Sequence, residues 1–529
     1  MVKARSNSIE VAFVATLLLL TSLYSIAFAI GPSHLGDDVW YSWLAHYASI
    51  SAYKQNFGDI LSVRPLQIIP IGTFYYLFGS GIYTSNAWDA ISFVLTVLLT
   101  YLIGKELYNW KVGVIAASLL AIFPMANIYS VTMSDNIPLM FLATLAVFAF
   151  IKGTKRRSRK WYIVSGAATA AAPFVIPEGF IFWIIMAVVL LWEMLKGERS
   201  RKYKAVYAVC GFTAVIAVMV LFNYVTSGYP FITFTANAQY YSQIYRPDIM
   251  PQPISIALAF YPSVMFPYSL SQGVTSVVSI LTYAQQSYGK SGLFFYAMTA
   301  ALAYLIITKD RRIAIPAIWI IVGFAYLEFG PMHFSLSPLT YILSHRLDRY
   351  LTLIGPPLSV AIAGAAFDVV HRSRKRYSEI KIAILTLGFV VLAITSFEIT
   401  YSWHLVLVDS QYTELSIAGM LNQLSSSTKV YLDAGYGDLA VYMGFRNFSR
   451  FYLGYGGANN CSEIPGGSYV VIPRYGNDGF SFVPNPLIYC DYWIKVMSPQ
   501  IPYNSTWVIA PTQPFEADLY YVPANYTYS

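Results

Sequence analysis

The chain has 529 residues, of which 57% are hydrophobic and only 11% charged. A soluble domain carries about 25% charged residues, so the composition excludes an ordinary soluble enzyme and points to lipid as the solvent. The formal charge of +8 does not indicate nucleic acid, because the basic residues stand in short gaps between apolar runs and form no single patch.

Taken in chain order, apolar runs near 9–30, 84–104, 112–130, 136–151, 161–176, 178–195, 205–226, 291–308, 313–329, 350–370 and 382–400 are of membrane-crossing length. At the first of them Ala27-Phe28-Ala29 resembles a signal-peptidase site, but the run from Ile9 to Ile30 exceeds a typical signal core, so an uncleaved first span is expected. The gaps at 105–111, 152–160, 196–204, 309–312 and 371–381, with Lys3 and Arg5, hold two thirds of the 34 lysines and arginines. That asymmetry predicts a cytoplasmic N-terminus and an extracytoplasmic C-terminus. The outer face then receives the loops 31–83, 227–290 and 330–349. Ile254 to Leu270, broken by Pro262 and Pro267, reads as a re-entrant or interfacial helix, or as half of an extra pair that would raise eleven spans to thirteen. The predicted architecture is therefore an all-α polytopic membrane domain over 1–400, followed by a small α/β or β-rich extracytoplasmic domain over 401–529.

The tail contains Cys461 and Cys490, a pair that suggests a disulfide in an extracytoplasmic domain. It also contains Asn-x-Ser/Thr sequons at Asn447, Asn460, Asn504 and Asn525, the pattern of N-glycosylation outside the cell or in a lumen. Neither feature separates a cell membrane from an endoplasmic reticulum.

The residues that suggest chemistry lie at the outer span ends. Asp37 and Asp38 follow the first span, and Asp135 sits in the short gap between the third and fourth. Ionisable groups this close to lipid need a reason; capping of the fourth helix by Ser134 or Asp135 is the plainest one. On the same face lie Lys54, Arg64, and the His345-Arg346-Leu347-Asp348-Arg349 run. An internal ion pair, or snorkelling to lipid headgroups, is the plain reading of these cations; an anion site is the other, because arginine offers a fork that fits phosphate. Carboxylates and arginines together at a lipid surface suggest a reaction of a membrane-bound phosphate ester, with one base activating a hydroxyl.

At this point the sequence resembles the GT-C glycosyltransferases, in particular the protein O-mannosyltransferases and the lipid A aminoarabinose transferase. Asp37-Asp38-Val39-Trp40-Tyr41 resembles the acidic Asp-Glu motif of the first outer loop. Arg64-Pro65-Leu66 with Tyr76-Leu77-Phe78-Gly79 resembles the proline-bearing juxtamembrane helix and its ending. Pro124 and Ser134-Asp135 resemble the end of the third span and the second acidic position, and the run from Arg346 to Pro357 the Arg-Tyr segment entering a late span. The resemblance covers residues 9–400 and does not extend to the tail. It implies a monosaccharide transferred with inversion from a polyprenyl- or dolichyl-phosphate donor to a hydroxyl of a protein, glycan or lipid. It assigns Asp37, supported by Asp38, as base, Asp135 as an orienting residue, and Arg64, Arg346 and Arg349, with Lys54, as ligands of the lipid phosphate. The Asp-Asp pair departs from Asp-Glu, which leaves open which carboxylate acts. The family's nearest members are metal-independent, so no cofactor is expected, against the alternative of Mg or Mn between Asp37 or Asp38 and Asp135. The absence of a lectin-sized insert in 227–290 and of a Trp-Trp-Asp motif counts against a eukaryotic O-mannosyltransferase and against en bloc glycan transfer. The compact chain points to a prokaryotic, archaeal-like cell membrane. A transporter or flippase for a lipid-linked sugar is the rival, and predicts a pseudo-repeat between halves, which the sequence does not show; a membrane scaffold for the outer domain is another.

Overall fold

The computed structural model describes residues 2–32, 37–195, 199–244, 293–329, 331–336, 339–343, 348–372, 375–432, 439–445, 448–453, 461–473, 490, 493–499 and 517–524. Ile254–Leu270, Arg346 and the four sequon asparagines lie outside the described residues.

The helices α1 (Val2–Ala27) and α4 (Ile82–Leu107) have 26 residues each, about 39 Å at 1.5 Å per residue. Between them lie α2 (Asp38–Ser49) and α3 (Pro65–Phe78). The chain continues through α5 (Trp110–Ala121), α6 (Pro124–Ser130), α7 (Asn136–Arg156), α8 (Arg159–Ala171), α9 (Phe180–Leu195), α10 (Arg199–Ser227) and α11 (Ile232–Ile244). After the undescribed segment come α12 (Phe294–Ile307), α13 (Ala314–Phe329), an antiparallel hairpin of β1 (Pro331–Leu336) and β2 (Leu339–Leu343), α14 (Gly355–His371) and α15 (Lys375–Leu421). Among the described residues seven helical segments are long and apolar enough to cross a membrane, and α5 with α6 makes an eighth.

The expected span 112–130 is bent by 60° between α5 and α6. The cause is Pro124, which holds Phe123 extended (φ −70°, ψ 117°) and supplies no N–H to the helix. The runs expected at 161–176, 291–308 and 313–329 form the shorter helices α8, α12 and α13, of 13, 14 and 16 residues. Without a hydrophobic force between helices in lipid, close packing holds the bundle. At the α8–α10 crossing, a Cβ on Gly166 would overlap the carbonyl of Ala208, and one on Gly211 the carbonyl of Ile163. Aromatic rings fill the centre: Phe182 meets Trp319 edge-on at 5.4 Å, and Phe123 meets Phe294 at 5.3 Å.

One end of the bundle is laced by exposed cations paired to acids. Lys105 pairs with Glu10, Lys155 and Arg156 lie 3.8 Å from Glu106, and Asp368 holds Arg372 at 2.7 Å and Arg312 at 3.6 Å. The other end carries α2, α3 and the C-terminal domain. Helix α15 is 47 residues long and runs through the expected boundary at residue 400. It leads into a five-stranded sheet of β3 (Val430–Leu432), β4 (Phe451–Leu453), β5 (Tyr469–Pro473), β6 (Ile494–Met497) and β7 (Ala517–Tyr521), with a one-turn helix α16 (Leu439–Tyr442). The order is β4-β3-β5-β7-β6; β3 runs parallel to both neighbours, and β7 antiparallel to β5 and β6. Side chains alternate between faces along each strand. Val430, Leu432, Val471 and Leu519 pack with Ile417 and Leu421 of α15 and with Trp43, Ile68 and Tyr75 of α2 and α3. Tyr431, Val470 and Ile472 form the opposite face with Trp493. Cys461 and Cys490 are joined in a disulfide beside that face, with Cα atoms 5.9 Å apart.

Candidate active site

Two backbone features bring distant acids together. The Ile30 N–H donates to the Val131 carbonyl at 2.8 Å, and Gly31 bridges Thr132. The chain leaving α1 is thereby fixed beside the chain entering α7. Asp37, ahead of α2, and Asp135, ahead of α7, meet there around Arg64. Arg64 precedes Pro65, and a residue before proline is kept out of the helical region; its backbone (φ −110°, ψ 60°) leaves the side chain at the mouth of α3.

Arg64 and Asp135 form a buried pair, 3% and 2% exposed, with Nη1 2.6 Å from Oδ2. Tyr41, on α2, donates its phenol to the same Asp135 oxygen and accepts from Arg64. Asn136 Nδ2 donates to the other oxygen at 3.0 Å. Asp135 occupies the N-cap position of α7 but makes no side-chain cap; the pairing with Arg64 and Tyr41, not capping, accounts for it. Burial raises the Tyr41 phenol pKa against the pull of Arg64, so Tyr41 stays a donor. Burial works against the charge of Arg64, but Tyr41, Asp135, Asp37 and Glu178 outweigh it and hold the guanidinium above its ordinary value.

Asp37 stands differently. It too makes no helix cap. Its Oδ2 lies 3.4 Å from Arg349 Nη2 and 3.6 Å from Arg64 Nη1, and its side chain keeps 31% exposure. Asp38, in the first turn of α2, is buried. The structure therefore separates the adjacent carboxylates, one open toward two arginines and one turned into the fold. Arg349 comes from the 3-10 turn Asp348–Ile354 that enters α14. Lys54 is exposed and pairs with none of these carboxylates. Among the described residues, no group of three His, Cys, Asp or Glu side chains is placed to hold a metal ion. The cation between Asp37 and Asp135 is the Arg64 guanidinium itself.

Three further polar residues line this end and were not singled out in the sequence. Glu178, in the turn Pro177–Gly179 before α9, accepts from the Tyr350 phenol at 2.8 Å. Gln67, one turn along α3 from Arg64, is fully buried. Asp89, on α4 and fully buried, accepts the Ser134 N–H at 3.2 Å and so props the Asp135 turn. The signal for Glu178 was available: it is a carboxylate opening the expected run 178–195, at a span end on the same face as Asp135.

Over residues 65–224 the sequence matches the model of the dolichyl-phosphate-mannose-protein mannosyltransferase family. The structure is similar to ArnT from Cupriavidus metallidurans bound to undecaprenyl phosphate, with a TM-score of 0.51 and 12% identity over 96% of this chain and 97% of that one. The chain has the GT-C glycosyltransferase fold. It is also similar to the Archaeoglobus fulgidus oligosaccharyltransferase in the apo form (TM-score 0.53, 14% identity, 87% of this chain and 69% of that one). A mycobacterial arabinofuranosyltransferase, AftD, is similar over 98% of this chain and 40% of its own length, with a TM-score of 0.51 and 12% identity. No curated protein sequence matches the chain. The resemblance carried by the motifs is thus met by the fold over nearly the whole chain, and by sequence across the segment from α3 to α10.

Proposed function

We propose that this protein is a membrane glycosyltransferase, moving a monosaccharide from a polyprenyl- or dolichyl-phosphate donor to a hydroxyl of a protein, glycan or lipid. The observation that carries this reading is the open carboxylate of Asp37, set between Arg349 and Arg64. Such an arrangement provides both halves of the chemistry. Asp37 takes the proton of the acceptor hydroxyl, whose oxygen then attacks the anomeric carbon. The bond from that carbon to the phosphate oxygen breaks with inversion, and the lipid phosphate leaves as an anion. Phosphate needs no general acid; cations in a site shielded from water stabilise its growing charge.

Arg349 is the main phosphate ligand in this reading, because it is partly exposed beside Asp37. Arg346, three residues earlier, is the second. Arg64 acts on the phosphate through its charge, since its hydrogen bonds go to Asp135 and Tyr41. Lys54 plays a lesser part. Asp135 orients by fixing Arg64 and Tyr41. The lipid tail lies along the apolar helices. ArnT was solved with undecaprenyl phosphate, and the archaeal oligosaccharyltransferase with a dolichol-phosphate; both support a lipid-phosphate donor.

The site faces the extracytoplasmic side in this reading, with residues 1–400 as the catalytic membrane domain and 401–529 outside. The cation-rich gaps at the opposite end of the bundle support that orientation. The test supplies radiolabelled polyprenyl-phosphate mannose and glucose to membranes containing the protein, with membrane extract as acceptor. Label moving from the lipid to acceptor supports the reading; label carried intact across sealed vesicles without cleavage supports a lipid-linked-sugar flippase and refutes it.

A further inference from the structure

Four side chains around the Asp37–Arg64–Arg349 cluster have buried polar atoms with no hydrogen-bond partner among the described residues. They are Arg64 Nε, Arg349 Nε, Glu178 Oε2, and both amide atoms of Gln67. A buried polar group without a partner calls for an explanation, and a bound group is one. These atoms are not scattered. Arg64 and Gln67 are one turn apart at the start of α3, and α3 packs against the 3-10 turn Ala172–Phe174 that leads to Glu178. Glu178 is tied to Tyr350, the neighbour of Arg349. The occupant must offer hydrogen-bond donors to Glu178 Oε2 and Gln67 Oε1, and acceptors to Gln67 Nε2. Several hydroxyls on one rigid ring meet that pattern, because each hydroxyl both donates and accepts. The occupant must also be uncharged where it meets Glu178, because a second carboxylate placed there would be repelled or forced to take up a proton.

We propose that Glu178 and Gln67 form the donor-sugar side of the site, and that Glu178 selects a neutral hexose over a hexuronic acid. This rests on the lipid-phosphate-sugar reading above and adds the class of sugar. Discrimination works here mainly by exclusion: the half-buried Glu178 carboxylate, with its Oε2 turned inward, accepts hydroxyl donors and rejects an anionic sugar. Gln67 adds affinity for hydroxyls without reading charge.

The test is binding, measured on the purified full-length protein in lipid nanodiscs. The probes are bare polyprenyl phosphate, polyprenyl-phosphate glucose and polyprenyl-phosphate glucuronate. The two glycolipids share ring stereochemistry and differ only at the carboxylate. Wild type is expected to bind the glucosyl lipid at least about tenfold tighter than the glucuronosyl lipid. Glu178→Gln keeps the size and an acceptor for Tyr350, and is expected to bring that ratio near unity. Gln67→Leu is expected to weaken binding of both glycolipids while leaving their ratio and the affinity for bare polyprenyl phosphate as in wild type. A wild-type ratio near unity, or a ratio unchanged in Glu178→Gln, overturns the proposal while the lipid-phosphate reading stands, provided bare polyprenyl phosphate binds. If bare polyprenyl phosphate and both glycolipids all fail to bind, the donor reading falls and takes this one with it.

Discussion

Breaking the Arg64–Asp135 pair is expected to destabilise the protein far more than breaking the pair at Asp37. Both Arg64 and Asp135 are almost wholly buried, with nitrogen and oxygen 2.6 Å apart. Two unit charges near 4 Å attract by about 4 kcal/mol at an effective dielectric of 20, and desolvation has already removed a similar amount on folding. The net worth of the pair is therefore small. Removing one partner, however, strands the other in the fold at a cost of about 3–5 kcal/mol. Asp135→Asn removes the close carboxylate and leaves Arg64 with the Tyr41 hydroxyl and the Asp37 carboxylate at 3.6 Å. Arg64→Met leaves Asp135 with the Tyr41 and Asn136 donors and without its ion-pair partner. The double variant Arg64→Met/Asp135→Leu removes both charges, and its cost should fall below the sum of the single costs by about 2 kcal/mol or more, within the range seen for residues sharing a network. By contrast, Asp37 is 31% exposed, and an ion pair of that kind contributes about 0–1 kcal/mol. The assay is the temperature at which half of the detergent-solubilised protein remains monodisperse. The reasoning fails if Asp135→Asn is as stable as wild type, or if the double variant shows the full sum of the single losses.

Three other outcomes follow from the packing. His46 stacks on Phe445 of the C-terminal domain at 4.2 Å, and burial lowers its pKa. The unfolded chain then takes a proton, below about pH 6.5, that the folded protein refuses; stability should fall as pH drops from 7.5 to 5.5, and His46→Phe should reduce that loss, a result contradicted by equal pH dependence in both proteins. Gly211→Leu should disrupt the α8–α10 crossing, where even a Cβ meets the Ile163 backbone, at a cost of about 1–3 kcal/mol or more; normal folding of that variant would refute the close approach. Cys461→Ser with Cys490→Ser opens a loop with a sequence separation of 29, and should lower the stability of the C-terminal domain by about 3–4 kcal/mol, seen as faster proteolysis there with the membrane helices unaffected; unchanged proteolysis would contradict it.

Much of this arrangement was legible in the sequence, and the gaps have physical causes. Apolar length and the clustering of lysine and arginine identify most of the spans, because membrane insertion is decided by those local quantities. The α/β or β-rich tail expected over 401–529 is met by a five-stranded sheet that includes β5 (Tyr469–Pro473). Pro124 was legible as a marker of resemblance, but the bend of 60° it puts into the run 112–130 was not. Asp37, Arg64, Asp135 and Arg349 were singled out, and all four meet. Their pairing was not legible, since it depends on the Ile30–Val131 backbone contact across a hundred residues. Arg64 read as a phosphate ligand, and the structure commits its hydrogen bonds to Asp135 and Tyr41. Tyr41 was read only as part of the acidic motif, without its bond to Asp135; Gln67, Asp89 and Glu178 were not singled out because a single polar residue near a span end is also what a turn or a cap requires.

The most direct test compares sugar transfer by wild type, Asp37→Asn and Asp38→Asn, expressed at equal levels in membranes given radiolabelled polyprenyl-phosphate sugar. A general base typically contributes 10²–10⁴-fold, so Asp37→Asn should lose transfer by about that factor. It should keep wild-type thermal stability, while Asp38→Asn retains most activity. Asp37→Asn transferring sugar at the wild-type rate would contradict the catalytic role given to the open carboxylate between Arg349 and Arg64.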